Sequence, residues 1–196
     1  AGISVEACFS DDVGYEQERS GHLIVEGEGT LTVNGGDAAS GKGFGAGAGI
    51  GGDGYGPGNE TGGDFGVVEI RGANILATGG KAVNTNFGAG AGIGGGGGDG
   101  TWTYAGKVWI RGGEVQAKSG APYSMGDLGN YCGAAGIGNG ASSGNDNTFG
   151  DDLDITIEAG TVTAEGAAGG AGIGGSSNGG SGDIGISGGW GRARGG

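Results

Sequence analysis

The stretch Val108-Trp109-Ile110-Arg111-Gly112-Gly113-Glu114-Val115-Gln116-Ala117 decides the fold. On each side of the Gly-Gly pair, apolar residues alternate with polar ones, which is the pattern of a short strand with one buried face. Glycine suits the corner between the two strands because it accepts positive φ without strain. The block returns at 68–77 and 155–164 and begins again at Ile184, and a looser first copy runs over 23–33.

A second signal is the tag Ala-Gly-Ile-Gly, which occurs at 48–51, 91–94, 135–138 and 171–174. Alternating Gly and Ala residues lead into it, and this pattern predicts a third strand with Ala and Ile facing inward. Three short strands per repeat, joined by glycine corners, predict one coil of a solenoid. The sequence therefore predicts an all-β fold, a right-handed parallel β-helix of about four to five coils.

Stacked coils would place like residues in columns, and each predicted column keeps its volume along the chain. The clearest columns are Val68, Val108, Ile155, Ile184; Ile70, Ile110, Ile157, Ile186; and Ile50, Ile93, Ile137, Ile173. Only 34% of the chain is hydrophobic and 60 of its 196 residues are Gly. A core one side chain thick explains how so glycine-rich a chain folds.

We expect a single β-solenoid domain over 1–196, with an N-terminal strand and cap region at 1–22, repeats at 23–187 and a partial last coil at 188–196. Long insertions at 51–66, 94–106 and 139–154 all leave from one corner, so glycine-rich loops should cluster on one side, where repeat proteins often bind. The run Gly94–Gly98 has an alternative interpretation, as an extended polyglycine segment packed against others.

The chain is acidic, with a formal net charge of −13. This charge argues against nucleic acid and anionic membranes as partners, and no apolar run approaches the ~20 residues of a membrane span. Because it has neither a signal peptide nor an initiator Met, we expect a processed product or an excised segment, secreted or at the cell surface. Cys8 and Cys132 are either bridged or two buried thiols, and Asn59 begins an N-glycosylation sequon.

The repeats resemble those of glycine-rich secreted and surface proteins, mainly bacterial, with tandem Gly-Ala-Gly-Ile-Gly-Gly and Ile-Thr-Ile-x-Gly-Gly-x-Val-x-Ala units. The resemblance covers roughly residues 23–187. The chain is more distantly similar to β-helical carbohydrate-binding proteins, in which Gly-Asp-Gly-Ile-Asp occupies the equivalent turn and its carboxylates are linked to calcium. Here the turn is Ala91-Gly92-Ile93-Gly94, which has no carboxylate, so the resemblance does not carry a calcium ligand to this turn.

Catalysis is not expected, and no cofactor is required. Asp151 and Asp152 look like the aspartate pair of polygalacturonases, but the sole histidine, His22, falls about three coils away, and acid–base catalysis needs several groups in mutual reach. A metal site is the other hypothesis for these acids. Asp146, Asp151 and Asp152 supply closely spaced oxygen ligands of the kind that calcium takes, although the same residues also suit a plain polar loop.

The aromatic residues of the third repeat carry the ligand hypothesis. Strand alternation points Trp109 outward, beside an insertion that contains Trp102 and Tyr104. Exposed aromatic rings stack on sugars, so these residues predict a polysaccharide site, unless a loop covers Trp109. On the same face, Arg71 and Arg111 are expected to stack as like charges, with Glu158 next in line.

The two ends of the predicted solenoid lack an amphipathic capping helix, and open coil edges invite pairing with another chain. We expect an interface that involves Ile3, Val5, Ile184, Ile186 and Trp190. The leading functional hypothesis is therefore a non-enzymatic extracellular structural or adhesive protein that associates with itself end to end, as a homo-oligomer or filament. The alternative is a glycan-binding adhesin module. Ice binding is third, because Thr161 and Thr163 have no matching Thr pairs on neighbouring coils.

Overall fold

The computed structural model describes residues 1–5, 21–39, 44–56, 63–83, 87–98, 106–124, 130–131, 133–142, 153–177 and 179–196. Within these ranges the regular elements are all β-strands, and no helix occurs among the described residues. The predicted all-β class is confirmed. The candidate calcium ligands Asp146, Asp151 and Asp152 and the aromatic residues Trp102 and Tyr104 lie outside the described residues.

Three parallel sheets of five strands form the body of the molecule. Sheet A contains β1 (Ile3–Ser4), β4 (Ile50–Gly51), β7 (Ile93–Gly94), β12 (Ile137–Gly138) and β15 (Ile173–Gly174). Sheet B contains β2 (His22–Val25), β5 (Val67–Ile70), β8 (Lys107–Ile110), β13 (Asp154–Ile157) and β16 (Asp183–Ile186). Sheet C contains β3 (Thr30–Asn34), β6 (Asn74–Thr78), β9 (Glu114–Lys118), β14 (Thr161–Glu165) and β17 (Trp190–Arg194). The chain visits A, B and C in turn, and each circuit is one coil of a parallel β-helix.

The strand register confirms the predicted columns. In sheet B, Val108 is paired with Val68 on one side and Ile155 on the other, and Ile155 is paired with Ile184. The columns also extend into the first coil, where Leu23 is paired with Val68. Pairing continues through β17, whose five residues all face partners in β14, so the last coil has a strand in each sheet.

The interior between the three sheets is filled by columns of apolar side chains, which form one continuous core. Ile70, Ile110 and Ile93 are fully buried, and so are most of their neighbours in the middle coils. Each tag ends on a glycine with positive φ, between 120° and 138° at Gly51, Gly94, Gly138 and Gly174. A Cβ on Gly51 would lie 2.0 Å from the carbonyl oxygen of Gly94, so the tag requires glycine for both conformation and space.

The residues that lead into each tag differ from the prediction. The expected third strand is only two residues long, and the preceding Gly-Ala residues adopt another repeat. Successive N–H groups of Gly45, Ala46 and Gly47 donate to three different neighbours, the carbonyls of Tyr55, Gly88 and Gly36. The next two, Ala48 and Gly49, return to the first two neighbouring segments, at Gly52 and Ala91. A threefold rotation of hydrogen bonds is the periodicity of the polyproline II conformation.

These extended segments pack in layers beside sheet A. We call these layers of extended segments the glycine layers. They comprise 35–38 and 79–82 on one side, 44–49 and 88–92 in the centre, and 52–56 and 95–98 on the other side. A Cβ on Gly45 would lie 2.0 Å from the carbonyl oxygen of Gly97, and a Cβ on Gly97 would lie 2.1 Å from that of Gly88. The packing of 95–98 corresponds to the polyglycine alternative, and glycine is needed because backbone touches backbone.

The long connections from sheet A to sheet B leave from one corner of every coil, as predicted. The connections from sheet C to sheet A leave from another corner and are also long in the first three coils. The third of them runs from the end of β9 to β12. It contains the antiparallel pair β10 (Tyr123–Ser124) and β11 (Asn130–Tyr131), which the repeat pattern did not predict.

Candidate functional site

Trp109 lies on the outer face of sheet B, where its position on β8 points it away from the core. Its side chain is half-buried, and its Nε1 donates a hydrogen bond to Oε1 of Glu158 at 3.1 Å. The guanidinium carbon of Arg111 lies 3.5 Å from the ring centroid, and Lys107 Nζ lies 5.5 Å from it. A sugar would have to displace Arg111 to stack on that face of the indole, so polysaccharide binding at Trp109 stays a prediction.

The side chain that organises this face is Glu69, which sequence analysis did not single out. Glu69 occupies the outward position that pairs with Trp109, yet it is only 2% exposed. Arg71 donates two hydrogen bonds to the Glu69 carboxylate, from Nε to Oε1 at 2.9 Å and from Nη2 to Oε2 at 3.1 Å. Arg111 Nη1 donates to Oε1 at 2.9 Å, and His22 Nε2 lies 3.2 Å from Oε2.

These residues, together with Trp109 and Glu158, form what we call the Glu69 cluster. The two arginines were expected to stack as like charges. In the structure Glu69 lies between them, and Arg111 Nε also approaches Glu158 Oε2 at 3.3 Å. The hydrogen bond from Arg71 lowers the pKa of the Glu69 carboxyl despite the opposing effect of burial, and the charges of both arginines lower it further. The cluster therefore connects four coils, and the charges of Arg71, Glu69, Arg111 and Glu158 alternate in sign along it.

Replacing Glu69 with Gln should lower the melting temperature at neutral pH, because both arginines lose their shared carboxylate. The direction in which stability changes with pH follows from the lowered pKa of Glu69. Glu69 stabilises the fold fully above its unfolded-state pKa, and this stabilisation is lost as pH falls through its lower folded-state pKa. Thermal unfolding followed by circular dichroism across this acid range should show a smaller loss of stability in Glu69→Gln than in the wild type. The exposed Glu28→Gln serves as the control, and an equal effect of both substitutions would contradict the role of the cluster.

The second candidate region is the terminal coil, which comprises β15, β16 and β17. Ile184 is 41% exposed and Ile186 is 64% exposed, although the same columns are buried in the preceding three coils. Trp190 is 63% exposed on the outer face of sheet C. The structure thus brings together three of the residues predicted for an assembly interface, at one edge of the molecule.

The other two predicted interface residues lie at the opposite end. Ile3 pairs with Ile50 in sheet A and is half-buried, and Val5 is buried in the core. Val5 also uses its backbone within the coil, since its N–H donates to Gly51 and its carbonyl accepts from Gly66. Val5 therefore stabilises the first coil and presents little free surface.

The predicted calcium ligands cannot be placed, because they lie outside the described residues. In the part of the chain that the structure describes, no group of three or more His, Cys, Asp or Glu side chains could hold a metal ion. The calcium hypothesis stays a prediction. His22, the sole histidine, which the sequence placed too far from Asp151 and Asp152 for catalysis, contacts Glu69 on the outer face of sheet B.

None of the described residues belongs to a helix that is long and apolar enough to cross a membrane. Comparison of the chain with models of protein families, with curated protein sequences and with solved structures found no significant match.

Proposed function

We propose that this chain is a non-enzymatic structural or adhesive rod, outside the cell or on its surface, that associates with itself end to end into a fibre or stalk. The observation that carries the proposal is the terminal coil. Its Ile184 and Ile186 occupy the inward positions of the β-helix, yet they are 41% and 64% exposed. The surface that would cover them best is another coil of the same repeat.

Two physical effects favour such an addition. Burying the exposed parts of Ile184 and Ile186 would release about 25 cal/mol for each Å² of apolar surface removed from water. In addition, β16 and β17 present the unpaired backbone groups of an outer strand edge, and an edge of this kind is a template for strand pairing. The flat, narrow end of a solenoid allows both effects to act in the same contact.

The remaining described surface fits a structural role better than a reactive one. Several charged side chains on sheet B are engaged with one another in the Glu69 cluster, in which a carboxylate is held by three partners. Such a network fixes the stacking of neighbouring coils. The location outside the cell rests on the resemblance to glycine-rich secreted and surface proteins, and it is a part of the proposal.

Substituting Ile186 with Asp should abolish end-to-end assembly, because it places a charge in the apolar contact. Electron microscopy at neutral pH should reveal filaments of the wild-type chain and dispersed particles of Ile186→Asp. The control is Leu76→Asp, since Leu76 is 38% exposed on the outer face of sheet C, away from both ends. Leu76→Asp should form filaments. Dispersed particles of the wild type at high protein concentration would refute the proposed function.

A further inference from the structure

We propose that the partner of the terminal coil is the first coil of a second copy, in head-to-tail order and in the register that continues every column. This inference rests on the proposed function and specifies its contact. Strand β16 would pair in parallel with β2 of the next protomer, and β17 would pair with β3. The joint would then have the geometry of any two consecutive coils within the chain.

The apolar columns match across this joint. The pairing of β2 with β5 and of β13 with β16 assigns Leu23 and Ile184 to one column, and Val25 and Ile186 to the next. Leu23 and Val25 are half-buried, which leaves part of each side chain at the other end of the rod. Head-to-tail stacking therefore places Ile184 against Leu23 and Ile186 against Val25, so both inward positions of sheet B meet another apolar side chain.

Small residues on one side of the joint also face larger residues on the other side. In sheet C the column that begins with Leu31 ends with Gly191, and the one that begins with Val33 ends with Ala193. On the outer face of sheet B, the 42% exposed Ile24 shares a column with Gly185, whose Cβ position has no atom within 4 Å. Small residues at the end of the rod thus accept larger ones from its beginning.

The charges favour the same order. Asp183 is paired in register with Asp154, a like charge, and no ion pair joins Asp183 to a cation among the described residues. Its position in the next protomer's column is occupied by His22. The strand β17 adds Arg192 and Arg194, which likewise form no ion pair within the described part, and the continued register places them against Thr32 and Asn34 of the next protomer. Asp183 would thus face a histidine instead of a like charge, and neither arginine would face another cation.

A tail-to-tail contact satisfies fewer of these groups. A twofold axis across the rod reverses the order of the sheets, so that only one sheet can pair with itself and the other two are exchanged. If sheet C pairs with itself, Arg192 faces its own copy and the four-residue β16 meets the two-residue β15. Head-to-tail order alone retains the register of all three sheets.

Disulfide cross-linking tests the register directly. In a background with Cys8→Ser and Cys132→Ser, whose ability to form filaments is checked first, Ile24→Cys and Gly185→Cys are made as separate chains and mixed before oxidation. The proposed register puts their Cα atoms on adjacent strands, about 4.8 Å apart, within the roughly 4.4–6.8 Å that a disulfide spans. The control mixes Glu26→Cys with Gly185→Cys, an outward pair displaced by two residues to about 7–8 Å.

We expect about tenfold more mixed dimer from Ile24→Cys with Gly185→Cys than from the displaced pair, because only the first pair meets the geometry of a disulfide. Filaments with equal cross-linking of both pairs would overturn the register and leave the proposed function intact. Predominant dimers of Gly185→Cys with itself would establish a tail-to-tail contact instead. Absence of filaments in the wild type and in the background would overturn both proposals.

Discussion

Replacing Gly80 with Ala will destabilise the fold by about 3 kcal/mol or more, at the upper end of the usual cost of overpacking. Gly80 lies in the glycine layers, and a Cβ there would come within 1.9 Å of the carbonyl oxygen of Gly36. The backbone has little room to yield, because the N–H of Gly80 donates to Gly47 and its carbonyl accepts from Gly90. Neither contact is with a flexible side chain that could move aside.

Gly36→Ala is the matched control, because it alters the other member of the same contact. Its Cβ would meet no atom within 4 Å, and its φ lies outside the left-handed region. We expect Gly36→Ala to stay within about 0.5 kcal/mol of the wild type, as surface substitutions usually do. Urea unfolding followed by circular dichroism measures both variants. A Gly80→Ala chain as stable as Gly36→Ala would mean that the layers are not in backbone contact.

The contrast between these two glycines also marks the limit of what the sequence predicts. The columns of the β-helix could be predicted because a buried side chain recurs at a fixed position in each repeat, as Val68, Val108 and Ile155 do. The glycine layers are specified by the absence of side chains. No pattern of apolar residues in the sequence distinguishes Gly80, which has no room for a Cβ, from Gly36, which has ample room.

The candidate sites also differ in whether the sequence could predict them. Ile184, Ile186 and Trp190 could be predicted as surface residues of the last coil because they depend on the repeat alone. Glu69 could not, since its outward position on β5 normally indicates exposure to solvent. Its burial results from Arg71 and Arg111, which come from two successive coils and close over it. The available signal was a carboxylate two residues before one arginine, with a second arginine stacked beside the first.

Replacing Ile110 with Ala will cost about 2–5 kcal/mol, the range for truncating a large aliphatic side chain in a core. Ile110 is fully buried in the central coil, between Ile70 and Ile157 of the same column. Its surroundings cannot collapse into the cavity, because both neighbouring strands hold their register through backbone hydrogen bonds. Urea unfolding at low protein concentration measures the loss.

Ile186→Ala makes the same substitution in the same column and provides the control. Ile186 is 64% exposed, so its truncation in the free chain should cost roughly 1 kcal/mol or less, mostly because the side chain packs less closely against Ile157. Equal losses for both variants at low concentration would contradict nearest-neighbour stacking of the coils. In assembled filaments Ile186 becomes an interior residue, so its cost should rise towards that of Ile110 as protein concentration increases. A cost for Ile186→Ala that stays constant while filaments form would show that the terminal coil is not the surface that assembles.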